Sequence, residues 1–371
     1  MRSLVEHRLR TVIRQFQVYG DLLAASPYGS GHINDTYATT FNQSGAPVRY
    51  IVQRINHDVF TEPIRLMENV VRVTSHARTR LAGNGGVDIS RRVLTLVPGL
   101  DLKPYVIDEN GSVWRMYLFI EGARTYDVIE TCAQARAAAK AFGEYQSLLA
   151  DLPGVRLHET IPDFHHTRRR FDALQRAIDE DICNRAGQVA TEIAFVDERE
   201  GDVDDLLALQ ARGGLPERTT HNDTKLNNVM IDDHTSEGLC VIDLDTTMPG
   251  LVAYDFGDLV RTVTAAAAED ERDLEKVGTR MDMFEALAEG YLSTAAAFLT
   301  AAERASLAIG AKLITLENGL RFLTDHLQGD VYFKTSRPDH NLDRARTQLK
   351  MVESIEAQLD TMHRIIERFG G

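Results

Sequence analysis

Two short stretches carry residue types that could do chemistry together. "THNDTKLNNVMID", residues 220–232, sets Asp223 and Asn228 five positions apart on a polar segment that runs into Val229, Met230 and Ile231. "VIDLDTTMPGLVAYDFGD" sets Asp243 and Asp245 behind Leu239, Val241 and Ile242. The apolar runs read as short strands, and strand alternation predicts that Asp243 and Asp245 share one face. Carboxylates at a strand end, joined by the amide of Asn228, make an all-oxygen site suited to Mg²⁺, an ion that favours one or two carboxylates plus substrate phosphates. Asp223, on a loop, is placed to take a proton from a substrate hydroxyl. Any one of these residues alone would be read as a turn or helix cap, the commonest use of Asp and Asn. His221, Asp223, Asn228 and Asp243 clustered about two strands favour the chemical reading.

The surrounding elements must hold these groups in place. The chain has 371 residues, 43% apolar and 26% charged, enough to build two lobes around packed cores. Leu9, Val12, Ile13 and Phe16 predict a short opening helix. "SPYGSGHINDTYATTF" and "VRYIVQRI" predict two strands about a flexible turn, and "RLMENVVRVTSHARTRL" predicts a helix. "RRVLTLVP" and "SVWRMYLFI" read as further strands, with Asn110-Gly111 as a hairpin turn. From Cys132 onward helical patterns dominate. The clearest is the last, where Ala345, Leu349, Val352, Ile355, Leu359, Met362, Ile366 and Phe369 recur along one face. The expectation is an α+β protein with a strand-rich lobe at 1–121 and a mostly helical lobe at 122–371.

Composition narrows the partners. A net charge of −14 opposes binding to nucleic acid or to anionic lipid. Cys132, Cys183 and Cys240 are widely spaced, so neither a disulfide framework nor a zinc site is expected. The N-terminal "MRSLVEHRLRTVIRQF" lacks the continuous apolar segment of a signal peptide, and no stretch approaches the roughly 18 apolar residues of a membrane span. A cytoplasmic location follows as an expectation; the sequence leaves the oligomeric state open.

"HNDTKLNN" followed by "VIDLD" resembles the HxDxxxxN and IDxE-type motifs of the aminoglycoside phosphotransferase and choline kinase group. The resemblance implies a bilobal protein-kinase-like fold and Mg²⁺-dependent transfer from ATP. It implies Asp223 as the catalytic aspartate, Lys225 as a lysine steadying the γ-phosphate, Asn228 as a metal ligand and Asp243 as the aspartate that holds Mg²⁺ against the nucleotide. It also implies that Asp255, in "AYDFGDLVR", braces the catalytic loop. In the first lobe Gly29, Ser30 and Gly31 form a Gly-Ser-Gly turn that could approach phosphates, although it is not a GxGxxG match. The strand "YIVQRI" lacks the lysine kinases carry there, so Arg54 or Gln53 must substitute, with Glu68 in "LMENVV" as the expected ion-pair partner. Backbone groups from Phe119 to Glu121, in "MYLFIEG", would meet the adenine.

Two longer stretches bear on the acceptor. "GSGHINDTY…YIVQRINHDVF" and "LENGLRFLTDHLQGDVYFK…HNLDRARTQ" resemble N-acetylhexosamine 1-kinases, in which an arginine and a downstream tyrosine at this spacing contact the sugar. Arg321 and Tyr332 match them. Asp325, one helical turn from Arg321, could add an acceptor on the same face, and Thr246 with Asp245 could join the pocket. His165 and His166 are expected to be loop residues without a role. The leading expectation is an ATP-dependent kinase that makes an N-acetylhexosamine 1-phosphate. The same fold acting on an amino alcohol or an aminoglycoside, and a nucleotide binder without turnover, stand as alternatives.

Overall fold

The computed structural model describes residues 2–29, 33–83 and 88–371. It is an α+β protein, with a small antiparallel sheet in its N-terminal part and helices through most of the remainder. In chain order the first elements are α1 (Arg2–Ile13), β1 (Asp21–Pro27), β2 (Asp35–Gln43), β3 (Ala46–Arg54), α2 (Pro63–Ala82), α3 (Ile89–Arg92), β4 (Val106–Ile107), β5 (Val113–Leu118) and β6 (Ala123–Arg124). There follow α4 (Cys132–Leu149), α5 (Thr167–Glu180), α6 (Ala190–Asp197), α7 (Asp205–Ala211), β7 (Arg218–Thr220), β8 (Val229–Asp232), β9 (Gly238–Val241) and β10 (Met248–Gly250). The last are α8 (Val252–Val263), α9 (Met281–Ala295), α10 (Ala301–Leu327) and α11 (His340–Gly370). The chain forms two compact units, one of residues 1–123 with 151–162 and 239–248, the other of 124–150, 163–238 and 249–371.

In the first unit the sheet runs in the order β1-β2-β3-β5-β4 with antiparallel pairing throughout. Ser44 and Gly45 both take positive φ between β2 and β3, the conformation that a tight two-residue hairpin needs. Gly111, at φ 77°, serves the β4–β5 hairpin expected at Asn110-Gly111. Leu9, Val12 and Ile13 of α1 join Tyr50, Val52, Trp114 and Met116 in one core, so the alternate positions of β3 and β5 face α1. Gln53 pairs with Arg115 across the ladder, on the opposite face. "RRVLTLVP" is not a strand. It contributes the end of α3 and an irregular stretch that meets β5 through Val97 N–H to Met116 O (2.8 Å) and Leu118 N–H to Thr95 O (2.9 Å).

Buried Asn69 on α2 ties this unit's later segments together. Its amide nitrogen donates to the carbonyls of His158 (2.8 Å) and Thr247 (3.1 Å), while its oxygen accepts from His158 N–H (3.0 Å). One of these bonds, to Thr247, fastens α2 to the end of the turn that follows Asp243.

The second unit is built on α8, α10 and α11. Val352, Leu349 and Ala345 of α11 pack with Leu316, Leu320, Leu323 and Leu327 of α10 and with Phe171 and Leu174 of α5. The buried residues of α11 include Ala345, Leu349, Val352, Ile355, Met362 and Ile366, the stripe expected from the sequence; Leu359 and Phe369 lie at its partly buried edge. Helices α8 and α10 cross at Gly257 and Gly310. A Cβ on Gly257 would lie 2.4 Å from Gly310 O, and one on Gly310 would lie 2.1 Å from Ala253 O, so neither position accepts a side chain at this separation. Among the described residues no helix is long and apolar enough to cross a membrane.

Candidate active site

The loop between β7 and β8 is held from beneath by one buried carboxylate. Asp255, on the first turns of α8 and 2% exposed, accepts from the backbone N–H of His221 (2.8 Å) and of Asn222 (2.7 Å). The Gln146 amide of α4 donates to the same carboxylate at 2.6 Å, and Thr224 Oγ1 donates to the Asp255 carbonyl at 2.5 Å. Gln146 is itself set by the Tyr291 hydroxyl, which donates to its Oε1. Burial pushes the Asp255 carboxyl above the usual carboxylate range, against the pull of His221, Asn222 and Gln146. The bracing role expected of Asp255 is therefore a specific set of hydrogen bonds.

These bonds shape the backbone that presents Asp223. Asn222 has φ 63°, a left-handed conformation that asparagine tolerates better than most residues. The His221 ring stands edge-on to Phe142 and Tyr145, 5.5 and 5.8 Å between centroids, and its Nδ1 accepts from Asp223 N–H at 3.3 Å. A 3-10 turn over Leu226–Asn228 brings Asn228 back onto the loop. Its amide nitrogen donates to the Asp223 carbonyl (2.8 Å) and to Asp223 Oδ2 (3.0 Å), and Lys225 Nζ lies 3.0 Å from Asp223 Oδ1. Burial acts to raise the Asp223 carboxyl, but Lys225, His221 and Asn228 outweigh it and hold the group below its ordinary range. Asp223, Lys225 and Asn228 thus form one cluster. A carboxylate so stabilised is ionised at neutral pH and better suited to orienting a hydroxyl than to abstracting its proton early.

The first unit holds the other acidic residues, in an arrangement that differs from the sequence expectation. Strand β9 ends at Val241, and Asp243 adopts φ 57° and ψ 60° to open a 3-10 turn over Leu244–Thr246. Strand alternation therefore stops before Asp243, and the two aspartates do not share a pleated face. Asp245 is buried against the Arg115 guanidinium of β5, with side-chain exposures of 3% and 1%. Asn34 Nδ2 donates to its other oxygen at 2.6 Å, and Thr160 Oγ1 to its carbonyl at 2.7 Å. Arg115 Nε donates to Gln53 Oε1 at 3.0 Å, and Gln53 Nε2 to Thr36 Oγ1 at 3.0 Å. Burial alone would depress Arg115, yet the charges of Asp245, Tyr117 and Asp243 raise it further above its ordinary value. Asp243 therefore belongs to the electrostatic surroundings of this guanidinium. Arg115 is not among the expected site residues, although an arginine in the middle of the apolar run "SVWRMYLFI" is the signal that marks it.

Other expected residues are placed as follows. Arg54 lies on the face opposite Gln53 and pairs with Asp35 (2.6 Å), while Glu68 pairs with His158 (2.7 Å), so the expected Arg54–Glu68 pair does not form. The Glu121 carboxylate accepts from Arg49 Nε at 2.7 Å, and its carbonyl from Arg91 at 2.9 Å. Gly29 takes φ 83°, and a Cβ there would meet nothing within 4 Å. Ser30 and Gly31 lie outside the described residues. Thr246 is buried in the turn after Asp243.

In the second unit the Arg321 guanidinium lies between the rings of Phe164 and Phe333, 5.7 and 5.3 Å from their centroids. Tyr332 is 65% exposed and meets Phe333 edge-on at 4.7 Å. Asp325 is buried, and its carboxylate accepts from the N–H groups of Val331 (2.9 Å), Tyr332 (2.7 Å) and Phe333 (2.9 Å) and from Asn341 Nδ2 (2.8 Å). It fixes the backbone that carries Tyr332. His165, expected to be without a role, has a side chain only 8% exposed that reaches the loop carrying Asp223: Nε2 lies 2.9 Å from Asn222 O and Nδ1 lies 2.9 Å from Glu317 Oε1.

Comparison with known proteins agrees with this layout. A microcompartment-associated aminopropanol kinase is 16% identical, with a TM-score of 0.57 over 98% of this chain and 99% of that one. An aminoglycoside phosphotransferase from Alicyclobacillus acidocaldarius subsp. acidocaldarius DSM 446 is 15% identical, with a TM-score of 0.59 over 97% and 96% of the two chains. A spectinomycin phosphotransferase, solved with ADP and spectinomycin, is 12% identical, with a TM-score of 0.52 over 91% and 94%. At these identities the likeness establishes the fold. The family assignment comes from sequence: the APH family, described as "Phosphotransferase enzyme family", matches residues 24–295, well over half the chain. This chain belongs to the phosphotransferase enzyme family.

Proposed function

We propose that this phosphotransferase moves the γ-phosphoryl group of ATP to the anomeric hydroxyl of an N-acetylhexosamine, giving the sugar 1-phosphate. The observation that carries the reading is the Asp223 cluster: an ionised carboxylate between Lys225 and Asn228, on a backbone fixed by Asp255. Asp223 orients the acceptor hydroxyl for in-line attack and receives its proton as the bond to phosphorus forms. An anomeric hydroxyl is more acidic than an ordinary alcohol, so positioning contributes more than basicity. Lys225 steadies the γ-phosphate. Residues 1–121 would cover the nucleotide, with Gly29 to Gly31 near its phosphates and the backbone by Glu121 near its adenine, while residues 122–371 carry the chemistry and the acceptor. Since Arg54 is turned away and paired with Asp35, we assign the lysine-replacing position of β3 to Gln53, on the Arg115 face.

Asn228 and Asp243 are the residues we propose for a magnesium ion. Among the described residues no group of three or more His, Cys, Asp or Glu could hold a metal unaided. Asp243 and the amide oxygen of Asn228 would leave most coordination positions to phosphate and water oxygens, which is the arrangement Mg²⁺ prefers. Bound there, it would neutralise charge developing on the phosphoryl oxygens.

The sugar reading rests on the aromatic-flanked arginine. Phe164, Phe333 and exposed Tyr332 offer apolar faces to a sugar ring, and Arg321 offers donors to its hydroxyl and acetamide oxygens. A fixed guanidinium disfavours a cationic amino alcohol. Asp325 supports the pocket by holding the backbone of Tyr332. The test is phosphorylation of a panel holding N-acetylglucosamine, N-acetylgalactosamine, unacetylated hexoses, choline and an aminoglycoside, with the phosphate located in each product and Asp223→Asn as control. Formation of an N-acetylhexosamine 1-phosphate, lost in the variant, is expected. Turnover confined to choline or the aminoglycoside would discard the sugar assignment, and full activity of Asp223→Asn would discard the catalytic one.

A further inference from the structure

We propose that His165 is a positioning residue for phosphoryl transfer: as an imidazolium held by Glu317, it donates through Nε2 to the Asn222 carbonyl and keeps the peptide before Asp223 in its left-handed conformation. The inference rests on the reading of Asp223 as the catalytic carboxylate.

Hydrogen-bond chemistry leads to the charge state. Both ring nitrogens of His165 lie 2.9 Å from oxygens, one on the Glu317 carboxylate and one on a peptide carbonyl. A peptide carbonyl only accepts, and the second Glu317 oxygen already accepts from Thr167 Oγ1 at 2.9 Å. A neutral imidazole, with its one N–H on Nε2, meets both partners only if Glu317 is protonated, a state that the neighbouring charges of Arg321 and Arg170 oppose, whereas an imidazolium donates to both. Glu317 is 0% exposed, so a carboxylate there requires a nearby cation. Burial opposes charge on both groups, yet the pair's hydrogen bond and mutual attraction raise His165 and lower Glu317.

The groups facing the pair are consistent with this state. From α8, Tyr254 stacks on the His165 ring at 5.4 Å and Asp258 adds a negative charge; from its own segment Phe164 packs at 4.5 Å. Arg321 of α10 and Arg170 of α5 act on Glu317 and favour its ionised form. Asp255 holds the N–H of Asn222 while His165 holds its C=O, so the two peptides that set φ at this residue are fixed from opposite sides. Asn222 immediately precedes Asp223, and a shift of about 1 Å in a reacting group can cost on the order of 100-fold in rate.

The experiment compares wild type, His165→Leu and His165→Gln for kcat, for KM of ATP, and for amide hydrogen exchange over residues 220–228. Expected is a loss of roughly 10- to 100-fold in kcat for His165→Leu with KM for ATP changed less than about 2-fold, and faster exchange in the loop. His165→Gln, which keeps one donor for the carbonyl, should recover part of kcat. Wild-type kcat should fall on an alkaline limb that the glutamine variant lacks. Unchanged kcat and exchange in both variants overturn the proposal. Should the substitutions prevent folding, ¹⁵N NMR of the wild-type imidazole decides: a doubly protonated ring at pH 6.5 supports it, and a neutral ring overturns it. Asp223→Asn separates the two readings. If that variant stays active, the catalytic assignment fails whatever His165 does to loop exchange. If it is inactive while both His165 variants match wild type, the positioning role fails alone.

Discussion

Replacing Asp255 with alanine tests whether one carboxylate organises the loop that carries Asp223. The change removes the acceptor for His221 N–H, Asn222 N–H and the Gln146 amide, all within 2.6 to 2.8 Å in the native protein. A buried donor left without a partner costs about 1–3 kcal/mol. Three donors give a ceiling of about 9 kcal/mol and a floor of about 3. Two terms pull the result toward the floor. Native Asp255 itself bears a desolvation cost, shown by its raised pKa, and the vacated space admits water that can satisfy a donor. The expected loss is about 3–5 kcal/mol, a large share of the roughly 5–15 kcal/mol that stabilises a domain. Asp255→Asn keeps one acceptor oxygen and should lose about half as much. Urea unfolding followed by circular dichroism measures the loss as a lower midpoint at constant slope. In the folded fraction kcat should drop about 100-fold, because the peptides before Asp223 lose their anchor. A midpoint shift worth less than about 1 kcal/mol with kcat intact would refute the bracing role.

Three further outcomes follow from the same geometry. Removing Asp245 alone strands the Arg115 guanidinium in the first unit and should cost about 3–5 kcal/mol, whereas Arg115→Met combined with Asp245→Leu should cost clearly less than the sum of the single changes; additive losses in a double-mutant cycle would contradict a coupled pair. The His165 contribution to stability has a definite sign: its folded pKa is raised, so the contribution is complete below the unfolded value of about 6.5 and is lost as pH rises through the folded value. The unfolding free-energy difference between wild type and His165→Gln should therefore shrink as pH rises past that folded value, and a difference that grows would reverse the assignment. Arg321→Ala should raise the sugar KM about 10-fold or more, with KM for ATP within about 2-fold, since a charged hydrogen bond contributes roughly 1.5–3 kcal/mol; unchanged sugar kinetics would take Arg321 out of the pocket.

What the sequence disclosed followed physical rules of differing reach. The β4–β5 hairpin at Asn110-Gly111 and the apolar face of α11 were legible because turn chemistry and helical periodicity are local. Asp223 and Asn228 were legible because five residues of loop confine them to one neighbourhood. The pairing of Asp243 with Asp245 was misjudged since alternation ends where the chain turns left-handed, and no property of "VIDLD" marks that residue. Arg115 and His165 were overlooked for another reason: each is defined by partners far along the chain, Asp245 in one case, Asn222 and Glu317 in the other. "RRVLTLVP" failed as a strand because β-propensity reports fit to a half-buried pleated surface and does not specify pairing.

The contact at Gly257 and Gly310 has a bearing on how acceptor preference could change over time. It brings α8, which carries Asp255, close against α10, which carries both Glu317 and, four residues on, Arg321. The support of the Asp223 loop and Arg321 thus rest on a single helix pair whose separation leaves no room for a side chain where the helices meet. On the proposed function, substitutions at Arg321, Tyr332 or Phe333 would alter what is recognised while the Asp223 loop keeps its alignment. A side chain at either glycine would instead disturb recognition and chemistry together, so drift toward new acceptors is channelled to the rim of this helix pair and away from its crossing point.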